Sequence, residues 1–147
     1  MKTWLLLSVL VLALTVIQCG ISATMGRVEP GKTCTVVPVR YPDGSLRRKL
    51  APPTPGLDVT ATSAHEVRFR WWFRSLPSKC RPSALLLTVV NGDRRYTPYT
   101  QDVTVVGRHG VHVIRVPDFY RISDKALGSA VTRRGLRSTV VHVRISR

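Results

Sequence analysis

From residue 57 onward, apolar and polar residues alternate with a period of two, the pattern of a β-strand with one buried face. The clearest example is segment 67–74, whose two alternating sets are Val67, Phe69, Trp71, Phe73 and Arg68, Arg70, Trp72, Arg74. We predict a half-buried strand here, with an apolar inner face and a basic outer face. A shorter strand at 57–61 precedes it.

Two further strand pairs are predicted in the middle of the chain. Leu85, Leu87 and Val89 repeat the alternation, and Asn91-Gly92 behind them is the strongest short-range signal for a hairpin turn. Val103 and Val105 lead into a turn at 107–110. Residues 111–116 then follow as the partner strand of a second hairpin.

The last predicted strand is 139–145, where a tight turn at Arg133-Arg134-Gly135 implies a hairpin partner at 126–132. Residues 118–128 also fit a short helical turn. Six or seven short strands separated by turn signals predict an all-β fold, an antiparallel β-sandwich.

The first 23 residues are typical of a secretory signal peptide: Lys2 is followed by a nearly continuous apolar run and then by small residues. A retained signal anchor is the alternative, because the apolar run is close to the roughly 20 residues that span a bilayer. We therefore expect a secreted or extracellular protein, or one associated with the cell surface. Contact with the membrane is expected only if the signal is kept as an anchor.

Removing the signal leaves two cysteines, Cys34 and Cys80. In an exported chain, an even pair suggests one disulfide, and two separate buried thiols are the alternative. Such a bridge would close a loop of about 45 residues, for which the chain-entropy model gives roughly 4 kcal/mol. It would fix an N-terminal extension (24–50), with a strand at 34–40 and a turn at 41–44, onto a domain at 51–147. The proline-rich segment 51–56 is a linker or the entry edge of that domain.

Segment 53–147 resembles a fibronectin type III domain or a close immunoglobulin-like relative. The resemblance is carried by the entry prolines (Pro52, Pro53, Pro55), by Trp71 on the second strand, and by the turn from Gly135 to Ser138 that leads into the last strand. It implies a β-sandwich and assigns no functional residue. The tyrosine commonly found on the penultimate strand of such domains is absent from 126–131, although Tyr120 lies nearby.

The charge is the main indication of a partner. The chain has 23 Lys and Arg against 8 Asp and Glu, a formal net charge of +15, and a pI near 11.2, which favours contact with polyanions. Candidate polyanion-binding residues lie on the outer face of the second strand and in three turns or loops: Arg68, Arg70, Trp72, Arg74; Arg94, Arg95; Arg133, Arg134; and the run Arg47-Arg48-Lys49. Alternatively, these cations are a solvated surface, and Trp72 packs under a loop or on the N-terminal extension.

Catalytic chemistry is poorly supported by the residues. The acids are isolated in turns, and only His109 and His112 are near neighbours among the four histidines; the motifs of P-loop, dinucleotide-binding and serine-hydrolase sites are absent from the sequence. We therefore expect no enzyme, no metal and no small-molecule cofactor. The sequence predicts a secreted β-sandwich module for protein interaction or adhesion at a cell surface, or alternatively a secreted basic protein that binds an anionic envelope polymer, glycan or nucleic acid.

Overall fold

A computed structural model describes residues 27–93 and 96–147, and these form ten β-strands and one 3-10 turn. The predicted signal peptide (1–23) lies outside the described residues, and so do Arg94 and Arg95. The strands are β1 Arg27–Val28, β2 Thr35–Arg40, β3 Leu46–Ala51, β4 Gly56–Ser63, β5 Glu66–Trp72, β6 Ala84–Asn91, β7 Tyr99–Thr104, β8 His109–Arg115, β9 Ile122–Val131 and β10 Val141–Arg144; the 3-10 turn is Ser78–Cys80.

Eight strands form two antiparallel sheets, in the orders β1-β4-β5-β8 and β10-β9-β6-β7. The all-β, antiparallel prediction is therefore confirmed. Strands β2 and β3 pair only with each other as a separate hairpin.

The two sheets share one hydrophobic core, built from the inward positions of the alternating segments. Val67 and Phe69 of β5 are fully buried, and so are Leu85, Leu87 and Val89 of β6. Because successive side chains of a strand point to opposite faces, the same alternation sends Arg68 and Arg70 to solvent. In β5 and β6 the sequence period thus predicted correctly which positions enter the core, whereas Val111 and Val113 of β8 are 60% and 37% exposed.

The predicted hairpin between 103–105 and 111–116 is wrong. Strand β7 pairs with β6, whereas β8 pairs with β5 in the other sheet. The connection 105–108 crosses from one sheet to the other, held by hydrogen bonds from the Val105 amide to the Ser83 carbonyl and from the Phe73 amide to the Arg108 carbonyl. Four residues span up to about 13 Å, enough to bridge sheets about 10 Å apart, so alternation alone could not distinguish a crossing from a turn.

Residues 118–128 contain no helix; β9 begins at Ile122 instead. Tyr120, just before β9, is only 4% exposed and belongs to the core. The entry prolines Pro52, Pro53 and Pro55 are also fully buried, so segment 51–56 packs against the domain.

The predicted disulfide is confirmed: Cys34 and Cys80 are bonded, with their Cα atoms 6.0 Å apart. Cys34 directly precedes β2, and Cys80 ends the 3-10 turn between β5 and β6. The bond therefore fixes the base of the β2–β3 hairpin to one end of the two sheets. Disulfides of this kind are typical of exported proteins.

The N-terminal extension is joined to the domain at a second place as well. Strand β1 extends the first sheet beyond β4, with Arg27 opposite Asp58, and the Gly31 amide donates to the Thr54 carbonyl at 3.0 Å. Within 27–93 and 96–147, no helix has the length and apolar character needed to cross a membrane.

Candidate anion-binding cleft

One end of the two sheets is rich in positive charge, although Glu29, which follows β1, lines a small pocket there with Arg74 and Arg108. We call it the basic end: it consists of the loops 73–83, 105–108 and 132–140, which leave or enter the sheets on the same side. These loops contain seven cations and no Asp or Glu: Arg74, Lys79, Arg81, Arg108, Arg133, Arg134 and Arg137. The loops at the other end include both Asp118 and Arg121.

The β2–β3 hairpin closes over part of the basic end and forms a cleft of about 1020 Å³. We call this the basic cleft. Three separate parts of the chain contribute its charged lining, which consists of Arg48, Lys49, Lys79, Arg81, Arg133 and Arg134. None of the lining residues is acidic or aromatic.

The β9–β10 turn presents two of these cations. Gly135 has a φ of +79°, a left-handed conformation that favours glycine. The Gly135 amide donates to the Thr132 carbonyl, and the Thr132 amide donates to the Leu136 carbonyl, both at 3.0 Å. This tight turn leaves Arg133 and Arg134 exposed at its tip.

The 3-10 turn holds a second pair of cations on either side of the disulfide. Cys80 is 1% exposed, and its neighbours Lys79 and Arg81 line the basic cleft. Ser83 fixes the end of this loop, because its amide and its hydroxyl both donate to the Val131 carbonyl, at 2.8 and 3.1 Å. Lys79 and Arg81 were not recognised as site residues from the sequence, although their position beside Cys80 was a usable signal.

The hairpin brings the third pair, Arg48 and Lys49 of β3. The Lys49 ammonium lies 5.8 Å from the centroid of the Tyr41 ring, and the Arg47 guanidinium lies 4.6 Å from the same ring. Stacking on an aromatic face restrains such long side chains. The structure thus brings the predicted clusters Arg47-Arg48-Lys49 and Arg133-Arg134 to one end of the molecule.

The cleft cations are not neutralised by neighbouring carboxylates. Among the described residues, ion pairs within 4.0 Å are formed by Arg27, Arg70 and Arg115, and by none of the six cleft cations. Guanidinium and ammonium groups gathered without acids attract oxyanions such as phosphate, sulfate and carboxylate. The chemistry available in this cleft is therefore anion binding.

The predicted arginine strip on β5 differs in its surroundings. Arg68 and Arg70 are exposed on the outer face of β5, but Arg70 lies 4.0 Å from Asp58 of the neighbouring β4. On β8, the other neighbour, Arg115 donates to Glu66 at 2.9 Å. The outer face of β5 and its neighbours therefore carries both positive and negative side chains. Arg74 lies beyond the end of β5, and its carbonyl accepts a hydrogen bond from Arg108.

Trp72 packs on the N-terminal extension, as the alternative interpretation of the sequence described. The Arg27 guanidinium of β1 lies 5.0 Å from the centroid of its ring. The ring also lies against Gly56 so closely that a Cβ on Gly56 would meet it at 2.4 Å. Trp72 is half-buried between these contacts.

The histidines are distributed over different surfaces. His109 is exposed on β8, whereas the Nε2 atom of His112 lies 2.8 Å from Oε1 of Gln101 on β7. In the described ranges, no three His, Cys, Asp or Glu side chains gather as a metal site would require.

No family model matches this chain, and no curated protein or solved structure matches it either. The contacts and charges of the chain are therefore the basis for any functional assignment.

Proposed function

We propose that the chain is an exported, non-enzymatic β-sandwich module that binds an anionic polymer at a cell surface through the basic cleft. The observation that carries the proposal is the convergence of six cations from three separate segments without a single acid among the lining residues. An Arg-rich composition alone distributes charge over the whole surface. Here the uncompensated charge is concentrated in a concave site.

The strand order supports a fibronectin type III-like or immunoglobulin-like assignment. Of the seven strands β4 to β10, the first, second and fifth share one sheet, while the third, sixth and seventh share the other. Immunoglobulin-type sandwiches divide their strands in the same way. The fourth strand, β7, joins the sheet of the third, which is where variable-type domains add their extra strands.

Two local features support the same assignment. Ser138 is 4% exposed, and its hydroxyl accepts a hydrogen bond from the Ala130 amide at 2.9 Å. This buried hydrogen bond fixes the glycine-to-serine turn before β10 to strand β9. Tyr120 lies at the corner between β8 and β9, the position of the tyrosine corner in immunoglobulin-like domains. Its hydroxyl donates to the Val89 carbonyl of β6 at 2.7 Å, 31 residues upstream, whereas the corner tyrosine bonds to the backbone only a few residues upstream, so the position matches and the bond differs.

The second candidate function is protein interaction or adhesion, and one observation favours it. On one face of the β2–β3 hairpin, Val36, Leu46 and Leu50 are 56%, 61% and 42% exposed. Apolar side chains grouped on an exposed face are a feature of protein-binding surfaces.

Retention on phosphocellulose tests the first function with a matched pair of variants. Arg133→Ser/Arg134→Ser and Arg68→Ser/Arg70→Ser each remove two positive charges, from the basic cleft and from β5. We expect the cleft variant to elute at clearly lower salt than the β5 variant. Equal shifts would mean that net charge alone causes retention and would contradict a cleft site.

A further variant and the salt dependence distinguish the second function. Binding to a cell-surface fraction through the hairpin should persist at high salt, because apolar contacts are not screened, and should be lost in Val36→Ser/Leu46→Ser, which leaves the cleft lining unchanged. Binding through the cleft should instead fall steeply with salt.

A further inference from the structure

We infer that the basic cleft recognises the oxyanion chain itself, a linear polymer carrying phosphate or sulfate groups, and that bases contribute nothing to binding. This inference rests on the proposed function and specifies its ligand. It separates two classes that share the same charge: polymers of bare oxyanions and single-stranded nucleic acids.

The first argument is the absence of a stacking surface. Proteins that bind single-stranded nucleic acid combine a basic groove with aromatic side chains, and each stacked base contributes about 1–3 kcal/mol. The basic cleft is lined by cations and by aliphatic and hydroxyl side chains such as Leu50, Leu136 and Ser78, with no aromatic among them.

The second argument is that the nearby aromatic rings are already engaged. Trp72 is covered by Arg27, and the Tyr41 ring is contacted by Arg47 and Lys49. Phe119 is well exposed, but it packs beside Tyr96, with ring centroids 5.6 Å apart. Tyr96 precedes β7 and Phe119 follows β8, so both rings lie at the end of the sheets opposite the basic end, away from the cleft.

The third argument is the shape and charge of the cleft. Cations line it on the hairpin side, through Arg48 and Lys49, and on the side of the sheets, through Arg81, Arg133 and Arg134. A cleft of about 1020 Å³ is at the upper end of the size of small-ligand sites. Cations on both sides of the cleft can neutralise closely spaced oxyanions of a chain that lies along it. Arginine forks bind phosphate and sulfate oxygens in a bidentate manner.

The test compares four fluorescent probes of matched charge number: linear polyphosphate, a heparin oligosaccharide, oligo-thymidine, and an abasic phosphodiester oligomer of the same length. Dissociation constants are measured by anisotropy at several salt concentrations. With six phosphate contacts, the log–log salt slope should be close to −4, which corresponds to roughly a 250-fold loss of affinity between 50 and 200 mM salt.

Oligo-thymidine and its abasic counterpart should bind within about twofold of each other, because no base stacks in the cleft. Tryptophan fluorescence should stay unquenched by oligo-thymidine. A tenfold preference for oligo-thymidine over the abasic oligomer, or strong quenching, would overturn the inference and identify a nucleic-acid site. Polyphosphate and heparin distinguish the two sources of the oxyanion, since the tighter of them identifies phosphate or sulfate.

The variants separate this failure from failure of the proposed function. Arg133→Ser/Arg134→Ser should reduce the magnitude of the salt slope by about 1.4, or 0.7 per contact, whereas Arg68→Ser/Arg70→Ser should leave the slope unchanged. If both variants change the dissociation constant of every probe by the same factor, the cleft is not the binding site and the proposed function fails. If only the cleft variant changes binding but bases matter, the function stands and the inference on ligand class is wrong.

Discussion

The hydroxyl of Tyr120 donates a 2.7 Å hydrogen bond to the carbonyl of Val89. The same oxygen accepts a 3.0 Å hydrogen bond from the Tyr99 amide. Tyr120 stands where the chain passes from β8 in one sheet to β9 in the other, so this one side chain holds the crossing against the β6–β7 edge. Burial raises its pKa, as expected for a phenol that is kept neutral inside a fold.

Replacing Tyr120 with Phe should destabilise the fold by about 1–3 kcal/mol, because the Val89 carbonyl loses its donor and the Tyr99 amide loses its acceptor. Urea unfolding measures the difference. Tyr96→Phe is the control, since that ring is 45% exposed, and it should change stability little. Equal effects of the two substitutions would contradict a structural role for the Tyr120 hydroxyl.

Removing the disulfide by Cys34→Ser/Cys80→Ser should lower stability by about 4 kcal/mol, the chain-entropy value for the sequence separation of 46 residues. The loss should also weaken anion binding, because Arg48 and Lys49 are no longer fixed beside the β9–β10 turn. Thermal unfolding and probe anisotropy report the two effects. Unchanged affinity in the folded variant would exclude the hairpin from the binding site.

Gly135→Ala should destabilise the protein by about 1 kcal/mol, because the residue has a φ of +79° that a Cβ disfavours. Gly107→Ala is the matched control: Gly107 has no positive φ and no atom within 4 Å of an added Cβ. That change should be neutral or stabilising by roughly 0.4–1 kcal/mol. Urea midpoints of the two variants should therefore move in different directions or by clearly different amounts.

Glu66 should make stability depend on pH in the acid range. Its carboxylate accepts hydrogen bonds from Thr62 at 2.7 Å and from Arg115 at 2.9 Å, and these lower its pKa. A pKa lowered by folding stabilises the fold above the unfolded-state pKa, and this stabilisation is lost as the pH falls through the folded-state pKa.

Titration by NMR should locate the Glu66 pKa below its ordinary value, and Thr62→Val should raise it, because that hydroxyl is the largest cause of the shift. Thr60→Val is the control on the same strand, where the hydroxyl lies beside Ser146 and Glu66 is untouched. A Glu66 pKa that Thr62→Val leaves unchanged would contradict the assigned cause.

The core was predictable because it depends on local alternation. Phe69 and Leu87 are buried for the same reason that Arg68 and Arg70 are exposed. The sequence could not show which strands β7 and β8 pair with. Residues 103–116 carry the same pattern whether the chain turns back on itself or crosses to the facing sheet. The difference depends on contacts with Ser83 and Phe73, which are distant in sequence.

The candidate site was predictable in part for the same reason. Arg133 and Arg134 stand out as a charge pair in a turn, and the disulfide could be expected from Cys34 and Cys80. That these features meet depends on the order of the strands, which places the β9–β10 turn beside the loop of Cys80. The acid next to Arg70 was equally hidden, because Asp58 becomes its neighbour only through the register of β4 with β5.

The basic end has a consequence for how the molecule approaches a partner. The loops 73–83, 105–108 and 132–140 carry seven cations, with Glu29 as an acid beside them, whereas the loops at the other end carry both signs. The excess of positive charge at one end gives the charge distribution a dipole along the strands. In the field of an anionic surface, such a molecule is turned end-on before contact, and the association rate depends on ionic strength more than the dissociation rate does. Both broad sheet faces then remain open to solvent, at right angles to the surface that the loops touch.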